Sequence, residues 1–291
     1  MSDFVFEEPS HLSMKVSTSV QADNSLITRW PHVMPLAFYK TPALVVYVTC
    51  GDPDLTTTRE IVLSAIEAGA NAIELGIPFS DPVADGAAIQ RASERALKNG
   101  TSLSQVLTLA AEIRQRAQSV GLVVFSYLNP ILQMGMEKFC KIARHAGVDG
   151  VLVTDLPVEE ADEYLRAMHA NDLAPIFLAA PTSSDERLQR IAQFSRGFVY
   201  AVSRTGVTGA RQDLTADAEA LVRRLRRSTT LPIAVGFGIS TPEQVALVGG
   251  FADAVVVGSA VVERTERHPG HEATAVAEFV SNLCAKQSVK G

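Results

Sequence analysis

Short apolar runs rich in Val, Ile and Leu alternate along this chain with longer segments whose apolar residues recur every three or four positions. The short runs have the length of strands, and the longer segments have the periodicity of helices with one buried face. The predicted strands are 43–50, 71–75, 121–128, 150–155, 175–180, 197–203, 232–237 and 253–259. Strands that alternate with helices pair in parallel, so the pattern predicts an α/β fold.

The helical segments include 56–70, 102–119, 158–172, 185–195 and 214–228. Eight strand–helix units in about 250 residues predict a (β/α)8 TIM barrel in a single domain. A doubly wound open sheet is the alternative, but no GxGxxG motif follows the first strand, where a dinucleotide fold needs it. Glycine-rich turns instead follow the last three predicted strands, which favours the barrel.

Residues 1–24 are polar and show no periodicity, so they predict a disordered extension before a catalytic domain at 25–291. This extension lacks the basic start and apolar core of a targeting signal. No run of about 18 apolar residues is present, so we expect no membrane span and a cytoplasmic protein.

The charged residues exclude some classes of partner. The 32 acidic and 26 basic residues give a net charge of -6 and form no basic cluster, so a nucleic-acid partner is not expected. Three widely spaced cysteines fit a reducing compartment better than a disulfide scaffold. The six histidines include no pair at a metal-ligand spacing, so no metal site is expected.

Two carboxylates stand out in the segment AIELGIPFSDPVADGAAIQ, residues 72–90. Glu74 lies in an apolar strand and shares its face with Ala72, which suits a group that points into a barrel. Asp85 lies in the following loop, which Pro78 and Pro82 stiffen. Taken singly, Glu74 fits a salt-bridged strand end and Asp85 fits a helix N-cap. Together they form a pair whose pKa values can separate, which favours catalysis.

Two glycine-rich turns, 235–240 and 256–263, predict a phosphate site without lysine. Gly238 with Ile239, and Gly258 with Ser259, are expected to present backbone amides just before a helix. The segment 203–211 has the composition of a hinged lid or of an ordinary flexible turn.

The chain resembles the tryptophan synthase alpha chain family. The resemblance rests on eight motifs in order between residues 45 and 262: YVTCGDP, IELGIPFSDPVADG, SYLNPI, GVLVTDLPVEE, APIFLAAPTS, VYAVSRTGVTGAR, VGFGIS and VVVGSAVV. It implies a (β/α)8 barrel that cleaves indole-3-glycerol phosphate to indole and glyceraldehyde 3-phosphate, with no cofactor in this chain.

The resemblance also assigns roles to residues. Glu74 is the expected proton shuttle, Asp85 the carboxylate that binds the indole N–H, and Tyr200 the residue that orients Glu74. The implied indole pocket comprises Tyr47, Phe125, Tyr127, Thr154, Leu178 and Phe237, and the implied phosphate site comprises Gly209, Gly238, Gly258 and Ser259. For Phe125 and Leu178, plain barrel core is the alternative.

The implied partner is a beta chain that holds pyridoxal phosphate and joins indole to serine in an α2β2 heterotetramer. The expected contact surface includes the loop at Asp81, Asn129–Pro130 and Pro157. The alternatives are a lyase that works alone and releases indole, and a catalytically idle subunit that only activates its partner.

Three positions depart from the family pattern. Ala87 replaces a usual proline, Leu128 a common tyrosine, and Val46 a frequent proline. These changes leave every catalytic group in place.

Overall fold

The computed structural model describes residues 36, 38, 42–202, 211–236 and 238–285, without the side chains of residues 211–214. The predicted extension at 1–24, most of the predicted lid, and the predicted site residues Gly209 and Phe237 lie outside the described residues.

The described strands form one parallel sheet. They are β1 (Ala43–Thr49), β2 (Ala72–Gly76), β3 (Gly121–Ser126), β4 (Gly150–Val153), β5 (Ala174–Ile176), β6 (Leu178–Ala179), β7 (Val199–Val202), β8 (Ile233–Gly236) and β9 (Ala254–Val257). Their order is β5-β4-β3-β2-β1-β9-β8-β7-β6. Only Phe177 separates β5 from β6 in the chain, so the sheet ends on two halves of one strand and closes into a barrel. The predicted (β/α)8 fold is therefore confirmed.

Helices surround the barrel. They are α1 (Leu55–Glu67), α2 (Ala87–Lys98), α3 (Leu103–Arg116), α4 (Leu128–Met134), α5 (Met136–His145), α6 (Asp162–Ala170), α7 (Asp185–Phe194), α8 (Arg211–Leu225), α9 (Pro242–Val248), α10 (Ser259–Arg267) and α11 (Glu272–Ala285). Side chains of Asp54, Ser184 and Thr241 cap α1, α7 and α9 by accepting a hydrogen bond from a first-turn amide. None of the described helices has the length and apolar character required to cross a bilayer.

Strand alternation separates two apolar regions. In β1, Leu44, Val46 and Val48 pack outward among the helices. Ala43 and Val45 belong to the smaller cluster inside the barrel. Since Val46 pairs in register with Ile73 and Val257, it is an ordinary core residue of β1.

The third strand is shorter than the predicted run 121–128. It ends at Ser126, and Tyr127 becomes the N-cap of α4. The apolar letters of SYLNPI gave no sign of this change. The helix tolerates Pro130 because a first-turn residue has no amide partner within the helix to lose. The Leu128 amide, which is also in this first turn, donates a hydrogen bond to Asp155 Oδ1 at 2.7 Å.

Candidate active site

A cavity of about 480 Å³ opens at the carboxyl ends of the strands. Ten of the thirteen predicted site residues line it: Tyr47, Glu74, Asp85, Phe125, Thr154, Leu178, Tyr200, Gly238, Gly258 and Ser259. Because they come from eight strand ends, closure of the barrel is what brings them together. This is the end of a parallel barrel where active sites are found.

Glu74 is buried on the inner face of β2 and is only 1% exposed. Its Oε1 atom has no hydrogen-bond partner within the described part of the chain. Burial raises the pKa of this carboxyl to about 8, because the apolar interior disfavours the charged form. Among described residues no ion pair involves Glu74, so the salt-bridge interpretation is wrong, and Glu74 is protonated at neutral pH.

Two buried tyrosines flank Glu74. Tyr47 is its register partner on β1, and Tyr200 on β7 interacts with it electrostatically. A Cβ atom at Gly76 would overlap the Tyr47 hydroxyl, and one at Gly236 would overlap the Tyr200 hydroxyl. Glycine at these two strand ends therefore gives both phenol rings room to lean across the barrel.

Asp85 lies in the loop after β2 and is not the N-cap of α2. That position belongs to Gly86, which has no side chain to form a cap, so the N-cap interpretation of Asp85 is wrong. Burial raises the pKa of Asp85 to about 6, and a hydrogen bond from Tyr127 opposes the rise. Asp85 is therefore mostly ionised at neutral pH, while Glu74 is mostly protonated.

Tyr127 lies beneath this loop and is not part of the cavity lining. Its hydroxyl accepts a hydrogen bond from the Ala84 amide at 2.9 Å and donates one to the Asp85 carboxylate. Its ring packs on Phe79, with the centroids 4.9 Å apart. The structure therefore places Tyr127 as a support for Asp85, whereas the family resemblance implies a place in the indole pocket.

Gln90 on α2 also holds the loop. Its side-chain amide donates to the backbone carbonyls of Asp85 at 2.9 Å and Pro82 at 3.4 Å. These contacts restrain the backbone of the loop although Ala87 replaces the usual proline. The sequence pattern gave no signal for Gln90.

The middle of the cavity is apolar. Phe125 meets the Tyr47 ring edge-on, with centroids 5.2 Å apart and an interplanar angle of 77°. Ile89, Leu178 and Val256 complete this part of the wall. Phe125 and Leu178 therefore border the cavity as well as packing against the barrel core. A flat aromatic group fits such a wall.

The far end of the cavity suits an anion. Gly258 precedes α10, and no side chain of the described residues caps that helix. The Ser259 and Ala260 amides have no partner within the helix, and both residues line the cavity end. Gly238 also lines the cavity, with φ +70°. The expectation that Gly238 and Ile239 directly precede a helix is wrong, because α9 begins at Pro242 and Thr241 is its N-cap.

Comparisons with known proteins agree with this geometry. The sequence profile of the tryptophan synthase alpha chain family matches residues 36–290. The chain belongs to this family. It is 51% identical to the tryptophan synthase alpha chain of Solibacter usitatus over 226 residues, which are 78% of this chain and 84% of the relative. It is 50% identical to that of Geobacter sulfurreducens over 242 residues, which are 83% and 91% of the two chains.

Solved structures of the tryptophan synthase alpha family give the same result. A chain from the α2β2 tryptophan synthase complex of Pyrococcus furiosus matches with a TM-score of 0.77 and 39% identity, over 84% of this chain and 99% of that one. The alpha chain of Legionella pneumophila matches with a TM-score of 0.78 and 35% identity, over 87% and 93%.

The expected docking residues of this alpha-family chain lie near the cavity mouth. Asp81 and Asn129 are exposed, and Pro130 and Pro157 are half-buried. The same two segments also carry two exposed apolar side chains, Val83 beside Asp81 and Leu132 beside Asn129.

Other groups in the described residues offer no further chemistry at the site. No cluster of three His, Cys, Asp or Glu side chains that could hold a metal occurs in the described ranges. Cys50 and Cys140 are buried free thiols and Cys284 is half-buried, and none of them lines the cavity.

Proposed function

We propose that this chain is the alpha subunit of tryptophan synthase and cleaves indole-3-glycerol phosphate to indole and glyceraldehyde 3-phosphate. The observation that carries the proposal is a pair of carboxyl groups that line one cavity, with Glu74 buried on a strand and Asp85 half-buried on the following loop. Burial raises the pKa of Glu74 to about 8 and that of Asp85 to about 6, so the pair can divide the roles of acid and anion. The apolar middle of the cavity fits the indole ring of this substrate, and the helix N-terminus at the far end of the cavity fits its phosphate group. Family membership supplies the identity of the reaction.

Glu74 begins the reaction as a general acid. It donates its proton to C3 of the indole ring, which places positive charge on the ring nitrogen. The bond between C3 and the glycerol chain then breaks, and its electrons return to the ring. The ionised Glu74 takes the proton of the neighbouring glycerol hydroxyl, whose carbon becomes the aldehyde, and so regains its starting form.

Asp85 stabilises the intermediate. Its carboxylate accepts a hydrogen bond from the indole N–H and offsets the charge that develops on the ring nitrogen. Tyr127 and Gln90 fix the loop, so this carboxylate is oriented before the substrate arrives. The indole ring lies against the apolar wall of Tyr47, Phe125 and Leu178.

The phosphate group binds at the start of α10. Backbone amides after Gly258 point toward it, and the helix dipole favours a negative charge there. Gly238 lets the backbone of a second turn approach the same group. Gly209 and Phe237 are assigned to this phosphate site and to the indole pocket by the family pattern alone.

We further propose that a beta chain docks on the cavity-mouth loops and receives the indole in an α2β2 assembly. The related Pyrococcus furiosus protein is described as such a complex. In this assembly, pyridoxal phosphate belongs to the beta chain, and the alpha chain needs no cofactor for cleavage. A cytoplasmic location fits the free cysteines.

An indole-release assay tests the function. The purified chain is given indole-3-glycerol phosphate with and without a beta chain, and both products are measured. We expect slow cleavage alone and faster cleavage with the partner. High turnover without a response to the partner supports the stand-alone lyase, and no cleavage in either arm supports the idle subunit.

A further inference from the structure

Two arginines, one turn apart on α2, connect three parts of the barrel wall. Arg95 forms a bidentate pair with Asp52, with Nε–Oδ1 and Nη2–Oδ2 distances of 2.7 and 2.8 Å. Its Nη1 atom donates to Oε1 of Glu266 on α10 at 2.8 Å. Arg91 binds the same carboxylate at 3.0 and 2.7 Å. The network therefore joins the loop after β1 to α2 and α10.

The network has a buried anchor. Asp52 follows β1 closely, and its side chain is only 4% exposed. The hydrogen bond from Arg91 lowers the pKa of Glu266 to about 2, so this carboxylate is charged at every pH at which the protein is assayed. The planar guanidinium of Arg95 matches the Asp52 carboxylate through two parallel bonds, which a lysine cannot reproduce.

Apolar packing alone gives α2 little to hold its position along its axis. Its buried face consists of Ala88, Ala92, Ser93 and Ala96. Small side chains bury little apolar area and present a nearly smooth surface, so they interlock weakly with their neighbours. The directional charged contacts of Arg95 and Arg91 are therefore what opposes a shift of α2 relative to α10.

A shift of α2 relative to α10 would change the geometry of the cavity. Helix α2 begins at Ala87, two residues after Asp85, and α10 begins at Ser259. The two helix starts are adjacent, because a Cβ atom at Gly86 would lie 3.8 Å from the Ser259 hydroxyl oxygen. The position of α2 on α10 thus sets the distance between the Asp85 carboxylate and the anion-binding amides.

We propose that Arg95 is a positioning residue that sets this distance and so selects substrates in which an indole and a phosphate have the right separation. The inference rests on the proposed function, since it assumes that these two groups bind at the two ends of the cavity. Arg95 itself does not line the cavity and acts through α2.

The test compares a linked ligand with its separate parts. Binding of an indole-3-propyl phosphate analogue, of indole alone and of glycerol 3-phosphate alone is measured by NMR titration, which also quantifies weak binding. A linked ligand gains affinity only when its length matches the span of the two sites. For Arg95→Met we expect about a tenfold loss of affinity for the linked ligand, while each fragment binds within about twofold of wild type.

Three further variants make the result specific. Arg95→Lys keeps the positive charge but cannot form the two parallel hydrogen bonds, so it should give an intermediate loss of affinity for the linked ligand. Glu266→Gln weakens the contact to α10 while Arg95 keeps Asp52, and it should also penalise the linked ligand selectively. The control is Arg114→Met, which breaks another half-buried ion pair, to Asp149 at the amino ends of the strands. It should lower stability and leave the ratio of linked to fragment affinity unchanged.

Each outcome separates the inference from the proposed function. If wild type does not bind the linked ligand, the proposed function fails. If wild type binds it and the ratio is unchanged in Arg95→Met, Arg95→Lys and Glu266→Gln, the positioning role is refuted. An equal loss for linked ligand and fragments also refutes it, because that pattern indicates general damage to the site.

Discussion

Replacing Glu74 with glutamine should abolish cleavage and, at high pH, stabilise the protein. The amide has nearly the shape of the protonated carboxyl but cannot transfer a proton. Loss of a general acid typically lowers rates by about 100-fold to 10,000-fold, so we expect kcat to fall by at least about 100-fold. Binding of the substrate should persist, because the neutral side chain already present at neutral pH is replaced by another neutral one.

The stability effect follows from the buried carboxyl. Its pKa is near 4.5 in the unfolded chain and about 8 in the folded protein, so the folded state holds the proton more tightly. The stabilisation is complete below about pH 4.5 and is lost as the pH rises to about 8. A difference of this size corresponds to roughly 3 to 5 kcal/mol of unfolding free energy. The glutamine variant has no such loss.

Urea unfolding of wild type and Glu74→Gln across about pH 5 to pH 9 measures this effect. We expect the free energy of unfolding of the variant, relative to wild type, to rise by roughly 3 to 5 kcal/mol over the range. Glu137→Gln, at an exposed position on α5, should leave the pH dependence unchanged and serves as control. Parallel pH curves for wild type and Glu74→Gln would refute a protonated, buried Glu74, and wild-type turnover in the variant would refute its role as acid.

Four other results are expected. The value of kcat/KM should fall below about pH 6 as Asp85 gains a proton and above about pH 8 as Glu74 loses one. The Asp85→Asn variant should react much more slowly and lose the acidic limb of this profile, and an acidic limb that persists would belong to another group. Gly258→Asp should raise KM strongly, because it places a negative charge where the phosphate binds. Gly258→Ala should change KM little, since its added methyl would lie 3.5 Å from Tyr47, and equal effects of the two variants would argue against charge repulsion. Ala87→Pro should raise the free energy of unfolding, measured with urea and heat, by about 0.5 to 1 kcal/mol and retain activity, and destabilisation would contradict this expectation. The reason is that Gly86 (φ -72°, ψ 160°) already has the backbone conformation that precedes proline, and the first residue of a helix needs no amide donor. Leu132→Glu should weaken binding of the beta chain about tenfold or more in calorimetry and leave unstimulated cleavage unchanged; undiminished binding would place the contact elsewhere.

The barrel could be predicted because its periodicity is local. Each apolar run and each helical segment can be read within about fifteen residues, and right-handed crossovers between parallel strands leave few ways to assemble eight of them. Element boundaries were less accessible. The end of β3 depends on a switch from strand to helix at Tyr127, where apolar residues continue on both sides. Local hydrophobicity does not distinguish these two states.

The catalytic side chains of the site were predictable, but the hydrogen bonds that hold them in position were less so. Glu74 was recognisable because a charge in an apolar strand is costly unless it has a use. Tyr127, Gln90 and Arg95 were not recognised as supports, since their hydrogen bonds link segments that are distant in sequence or depend on the path of one loop. Helix starts carry a similar ambiguity, because Gly258 directly precedes α10, whereas three residues separate Gly238 from the start of α9.

The different states of the two carboxyl groups follow from where the fold places them. A strand inside a closed barrel surrounds Glu74 with protein, so desolvation is the one large effect on its pKa. A loop at the barrel mouth leaves Asp85 half-buried and within reach of the Tyr127 hydroxyl, which favours its charged form. Moving the acid of the loop onto a strand, or the acid of the strand onto a loop, would make the two groups alike. The distribution of one acid to each kind of element therefore provides an acid and an anion in the same cavity at neutral pH.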